Sequence, residues 1–160
     1  MIYKLAGTAL VVFCAFIYSE QRGRIERERI EATKVLLRFF EACASKVSCH
    51  SLTLSEIIDG FECDREEWNA LFKKIKSDGL LHSVKFAGAV LCGKEELEIY
   101  TDFAQRVGLG FIKESENVCR ECAERLRELI CELDARAKKD GRARLALSLC
   151  VSFMTCLLFL

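Results

Sequence analysis

The sequence predicts an all-α protein: a small bundle of five or six helices, flanked by an N-terminal and a C-terminal transmembrane helix. Three observations carry that prediction. Apolar residues recur at i, i+3, i+4 and i+7 through most of the chain, the period of helices with one buried face. No proline occurs among the 160 residues, so no helix interior is broken by a ring that lacks an N–H. Charge is also segregated, for apart from Lys4 every Asp, Glu, Lys and Arg lies between Glu20 and Arg144. That segregation reconciles 30% charged residues with a positive mean hydropathy of +0.15.

The uncharged ends come first. Residues 5–18 read LAGTALVVFCAFIY, and residues 145–160 read LALSLCVSFMTCLLFL. Sixteen helical residues reach ~24 Å against a hydrocarbon core of ~30 Å, so both segments are short. Snorkelling of the flanking Lys4, Arg22, Arg142 and Arg144 and local thinning of the bilayer cover the difference. A cleavable signal peptide is the rival for the first segment. It is disfavoured because no small-x-small site follows, the exit reading Phe16-Ile17-Tyr18-Ser19-Glu20. Phe13 before Cys14 fits a lipoprotein signal poorly. The expected division is therefore an anchor over 1–18, a helical domain over 19–144 and a second span over 145–160.

Basic residues crowd the inner side of both segments: Arg22, Arg24, Arg27 and Arg29 after the first, and Arg136, Lys138, Lys139, Arg142 and Arg144 before the second. By the positive-inside rule the central domain faces the cytoplasm and both termini face away, within a cell membrane. Ten cysteines suit a reducing compartment. These nine basic residues also meet anionic headgroups and are candidates for contact with a protein partner.

Within the domain, Thr33, Leu36, Leu37, Phe40, Cys43, Ala44 and Val47 form the stripe of a helix starting near Glu26, and its beginning merges with the first span or adjoins it. Thr53 and Glu56 have capping-box spacing before Leu54, Ile57, Ile58 and Phe61, with Gly60 limiting that short helix. Asp64 and Glu67 mark the next start, ahead of Trp68, Leu71, Phe72 and Ile75, and Asp78-Gly79 marks its end. Leu80 to Leu91 forms a fourth helix that stops near Cys92-Gly93. Ile99, Tyr100, Phe103 and Val107 give a fifth, broken by Gly108-Leu109-Gly110. The longest runs from Ser115 to about Ala137, with Cys119, Cys122, Ala123, Leu126, Leu129, Ile130 and Leu133 inward. Gly141 is either a hinge into the second span or a tolerated glycine in one continuous helix. Trp68, Phe72 and Phe103 read as core, with an exposed partner groove as the alternative.

Little in the sequence points to catalysis. Formal charge is zero, 24 basic against 24 acidic residues, which excludes a basic nucleic-acid surface. No GxSxG, HExxH, phosphate-loop or dinucleotide fingerprint is present. Gly108-Leu109-Gly110 is too short for a nucleotide site. His50 and His82 stand alone. Glu66-Glu67 and Glu95-Glu96 fall at helix beginnings, where the dipole favours acids. Cys119-x-x-Cys122 is the sharpest constellation, yet it supplies two thiolates where a structural zinc needs four ligands, with Cys49, His50 or Cys63 left to complete it. Its place on an apolar stripe reads as core packing. The expectation is a non-enzymatic protein with no metal and no cofactor.

The order of these features resembles the stage III sporulation protein AB family, whose helical domain is related to the type II secretion F-protein. Arg29 to Phe40 is similar to that family's charged-then-apolar first helix, and Glu67-Trp68 to its acidic or small residue before tryptophan. Leu97, Phe103 and Val107-Gly108 resemble its phenylalanine-glycine…leucine-glycine segment, and the long helix from Ser115 to Lys139, Gly141 and the apolar end complete the likeness. Ala104 replaces a glycine of that pattern, Val107 a leucine, and the proline usual near Leu54 is missing. The resemblance implies structural roles for Trp68, Phe103, Gly108 and Gly141. It also implies a platform or assembly subunit of the mother cell–forespore channel during endospore formation, in the outer forespore membrane. The implied partner is a cytoplasmic ATPase like stage III sporulation protein AA. Two other classes remain open: a two-span adapter or holin-like protein, for which Ser148, Ser152 and Thr155 give only a thin polar stripe, and a Cys-based zinc or thiol protein.

Overall fold

The computed structural model describes residues 2–50, 54–61, 63–91, 93–107 and 112–159; of these, the side chains of 2–12, 15, 47–50, 112–114, 145, 148, 149, 152, 153 and 155–159 are outside the description. Among the described residues every regular element is an α-helix, and there are six: α1 Ile2–His50, α2 Leu54–Asp59, α3 Glu66–Asp78, α4 Leu80–Val90, α5 Lys94–Val107 and α6 Ile112–Phe159. The all-α prediction holds.

Of the alternatives open at each end, the continuous helix is the one present. The apolar N-terminal stretch is the beginning of α1, 49 residues long, and the C-terminal stretch is the end of α6, 48 residues long. With no proline to interrupt either helix, and helical backbone at Gly23 and Gly141, nothing in the chain ends them there. Gly141 is thus a tolerated glycine and not a hinge. Among the described residues no helix is long and apolar enough to cross a membrane. The spans expected at 1–18 and 145–160 fall largely on side chains outside the described set.

Two compact units make up the chain: Met1–Glu28 with Glu132–Leu160, and Arg29–Cys131. The second holds the core. On α1 the buried residues are Ile30, Ala32, Thr33, Val35, Leu36, Phe39, Phe40 and Cys43, an arc of about 220° at 3.6 residues per turn. That arc is rotated by roughly 40° from the expected stripe, away from the half-buried Leu37 and Ala44 and onto Val35 and Phe39. Aromatic packing explains the rotation. Phe39 meets Phe61, Phe72 and Phe103 at centroid distances of 5.7, 5.0 and 6.3 Å, while Phe40 stacks on Phe103 at 4.2 Å. A helix surrounded on several sides buries more than one stripe.

On α3 the buried face is Trp68, Leu71, Phe72 and Ile75, as the periodicity predicts. Its start differs from expectation. Arg65, not Asp64, is the N-cap, and no side chain caps it; the Asn69 side-chain amide donates to the Cys63 carbonyl at 2.9 Å instead. At the other end Gly79 adopts φ 84° and its N–H reaches the Ile75 carbonyl at 2.9 Å, a conformation that favours glycine. The expected cap at Thr53 lies outside the described residues. On α5 the buried residues are Glu96, Ile99, Tyr100, Phe103 and Ala104. On α6 they include Val118, Cys119, Cys122, Ala123, Leu126 and Leu129, while the buried Leu133 belongs to the other unit. α4 hides only Ser83, Ala87 and Val90, and the Ser83 and Tyr100 hydroxyls bond at 2.6 Å.

Candidate functional site

The nine basic residues expected beside the spans divide into two sets. Arg22, Arg24, Arg27, Arg136, Lys138, Lys139 and Arg142 are exposed. Arg22 donates to the Tyr18 hydroxyl at 3.4 Å and lies 5.9 Å from its ring centroid. Arg24 pairs with Glu28 at 3.8 Å and Arg136 with Glu132 at 3.0 Å, one helical turn away in each case. Exposed pairs of this kind contribute about 0.3–0.5 kcal/mol, so these side chains can be redirected to a partner at little cost.

Arg29 and Arg144 are committed internally. Arg29 makes a two-pronged bond to Glu96, Nε to Oε1 at 2.7 Å and Nη2 to Oε2 at 2.9 Å, and also reaches Glu95 at 3.1 Å. Thr33 Oγ1 adds a bond to Glu96 Oε1 at 3.2 Å. Glu96 is 1% exposed. Burial alone would raise its pKa, but the bonds from Arg29, its own amide and Thr33 outweigh that and hold the carboxyl below its ordinary value. The same bond raises Arg29. Gly93 is shaped by this pair: a Cβ there would stand 1.8 Å from Glu96 Oε2 and 2.4 Å from Arg29 Nη2. From sequence alone Arg29 falls in the basic collar beside the first apolar stretch and Glu96 at a helix beginning favoured by the dipole. The missed signal is register. Glu96 sits three and four residues before Ile99 and Tyr100 on the apolar stripe of α5, and Arg29 lies four before Thr33 on that of α1.

Arg144 belongs to the other unit, where it bonds the Glu26 carboxylate and the Ser19 carbonyl. It closes one side of a cleft of about 310 Å³, lined by Ser19, Glu20, Gly23, Arg24, Glu26, Arg27, Ala137, Gly141 and Arg144. Small residues recur four apart on each contributing helix, Ser19 with Gly23 and Ala137 with Gly141. A Cβ on Gly23 would meet only the tip of Arg144, at 3.8 Å, and one on Gly141 would meet nothing within 4 Å. Alanine would therefore fit at both, and would favour the helix by about 0.5–1 kcal/mol over glycine.

A second groove, of about 610 Å³, lies on the core unit against Glu41, Ala44, Ser45, Arg120, Ala123, Glu124 and Arg127. Arg127 spans it to Glu41 at 2.6 Å. Neither groove pairs a nucleophile with a neighbouring base.

Cys119 and Cys122 are buried with Cys43 in the core. Burial pushes the Cys119 thiol up to about 12 and that of Cys122 to about 11, and raises Cys43 as well. These thiols are poor nucleophiles near neutral pH. Among the described residues no group of three or more His, Cys, Asp and Glu side chains is placed to hold a metal ion. Cys49 and His50 fall outside the described side chains, and His82 is exposed.

No protein-family model, curated protein or solved structure matches this chain. Of the residues singled out by the family resemblance, Trp68 and Phe103 are buried in the core, Gly141 lines the cleft, and Gly108 lies outside the described residues.

Proposed function

We propose that this chain is a non-enzymatic membrane platform or assembly subunit, anchored through both apolar ends with its charged core in the cytoplasm. The observation that carries this is where large apolar side chains are left uncovered. In the two apolar ends Phe13, Phe16, Ile17, Tyr18, Leu147 and Met154 are exposed, Phe13 by 64% and Leu147 by 69%, whereas elsewhere among the described residues only Ile25, Leu81 and Phe86 are large, apolar and exposed. Exposed apolar surface gathered in two uncharged stretches calls for a covering phase, and lipid supplies one. Each stretch is only a little shorter than the hydrocarbon core, and each is followed or preceded by basic residues on one side. The order of features shared with stage III sporulation protein AB supports placing this subunit in the mother cell–forespore channel, with a cytoplasmic ATPase as partner.

The test has two parts. Washing membranes with alkaline carbonate should leave the chain in the pellet; its release would sink the anchor. A membrane-impermeant maleimide should reach the exposed Cys131 only after cells are permeabilised, and labelling of intact cells would reverse the orientation. For the partner, charge reversal of the exposed Lys138, Lys139 and Arg142 should abolish co-purification with the ATPase while Cys131 labelling stays unchanged.

A further inference from the structure

We propose that the cleft lined by Gly23, Gly141, Arg24 and Arg27 is a binding site for the phosphodiester of a phospholipid headgroup. The proposal rests on the membrane reading above, and four observations converge on it. The first is size. About 310 Å³ is at the small end of ligand pockets, which run to roughly 300–1,000 Å³.

The second observation is the glycine pair. Mid-helix glycine is unfavourable relative to alanine, and neither the backbone nor a neighbouring atom requires it here, since Cβ atoms at both positions would meet ordinary contact or open space. Both glycines nevertheless face the same cleft. The space they leave is used only when something enters it.

Charge is the third. Three guanidiniums and two carboxylates line the walls, leaving one unit of positive charge, the complement of one phosphodiester. Glu26 holds Arg144, and Glu28, outside the lining, lies 3.8 Å from Arg24 in an exposed pair that can be redirected. Arg24 and Arg27 are the exposed guanidiniums of the lining, with the fork geometry that suits phosphate oxygens. The last observation is place. The lining residues 19–27 directly follow the first apolar stretch and 137–144 directly precede the second. In the membrane reading the cleft therefore opens at headgroup level, where basic pockets between helices bind lipid heads.

The full chain, purified in mild detergent, is titrated with dioleoyl phosphatidylglycerol and followed by native mass spectrometry. The expected result is one retained lipid per chain, with occupancy falling at least tenfold in Gly141→Leu, which fills the cleft, and in the double variant Arg24→Gln/Arg27→Gln. Ala135→Leu, which places the same side chain at an exposed α6 position outside the lining, should leave occupancy unchanged. Circular dichroism checks each fold; if Gly141→Leu unfolds, the arginine variant decides alone. Equal lipid retention in wild type and the arginine variant overturns the proposal. So does displacement of the lipid by millimolar inorganic phosphate, which would make the site one for free phosphate. Carbonate washing of the wild type separates the two failures. A chain that stays in the membrane with unaltered lipid retention sinks the cleft alone, and a chain that is released sinks the anchor as well.

Discussion

Glu96 is the side chain whose surroundings constrain it most. A carboxylate this buried is tolerable only because Arg29, Thr33 and a backbone amide satisfy it, and removing one partner strands the other. Glu96→Gln should destabilise the protein by about 2–3 kcal/mol in urea melts, below the full cost of a stranded buried charge because Arg29 keeps 27% of its side chain in water. Gly93→Ala should cost about 1–3 kcal/mol, since its methyl group occupies the position of a carboxylate oxygen. The sign of the pH dependence follows from the lowered pKa of Glu96. The pair's contribution is complete above the ordinary carboxylate value of about 4.3 and is lost as pH falls through the lower folded value. Acid titration monitored by circular dichroism should show Glu96→Gln losing less stability over that interval than the wild type.

At the scale of elements, aromatic contacts between α1, α3 and α5 dominate. Phe103 touches both Phe39 and Phe40, and Phe103→Ala should cost about 3–5 kcal/mol by thermal or chemical melting. Gly141→Ala should do the opposite, stabilising lipid-free protein by about 0.5–1 kcal/mol. Much of this level was legible in the sequence. The periods of α3, α5 and α6 named their buried faces because each of those helices packs along one stripe. α1 was misread by a fraction of a turn, since Phe39 and Phe40 are neighbours and a one-stripe template can choose only one. The Arg65 cap was missed for a different reason. Asp64 has the preferred chemistry, but the chain enters the helix one residue later. The Arg29–Glu96 pair and the cleft depend on contacts between residues 67 or more positions apart, which no local pattern encodes.

For the molecule as a whole, the two units divide the work. One concentrates buried aromatics and buried thiols; the other holds most of the exposed large apolar side chains among the described residues, and the cleft. Reagent access should follow that division. With the protein folded, iodoacetamide should modify exposed Cys131 readily and leave Cys43, Cys119 and Cys122 unmodified until denaturant is added. Early loss of those three thiols, read by peptide mass mapping, would mean the core opens more freely than its packing implies. The single tryptophan turns the same arrangement into a built-in reporter. Trp68 is buried 5.8 Å from Phe72 within the core unit, so its indole emission should be blue-shifted and should redden only when that unit melts. Whatever happens to the apolar ends, in detergent or in lipid, leaves this optical signal silent.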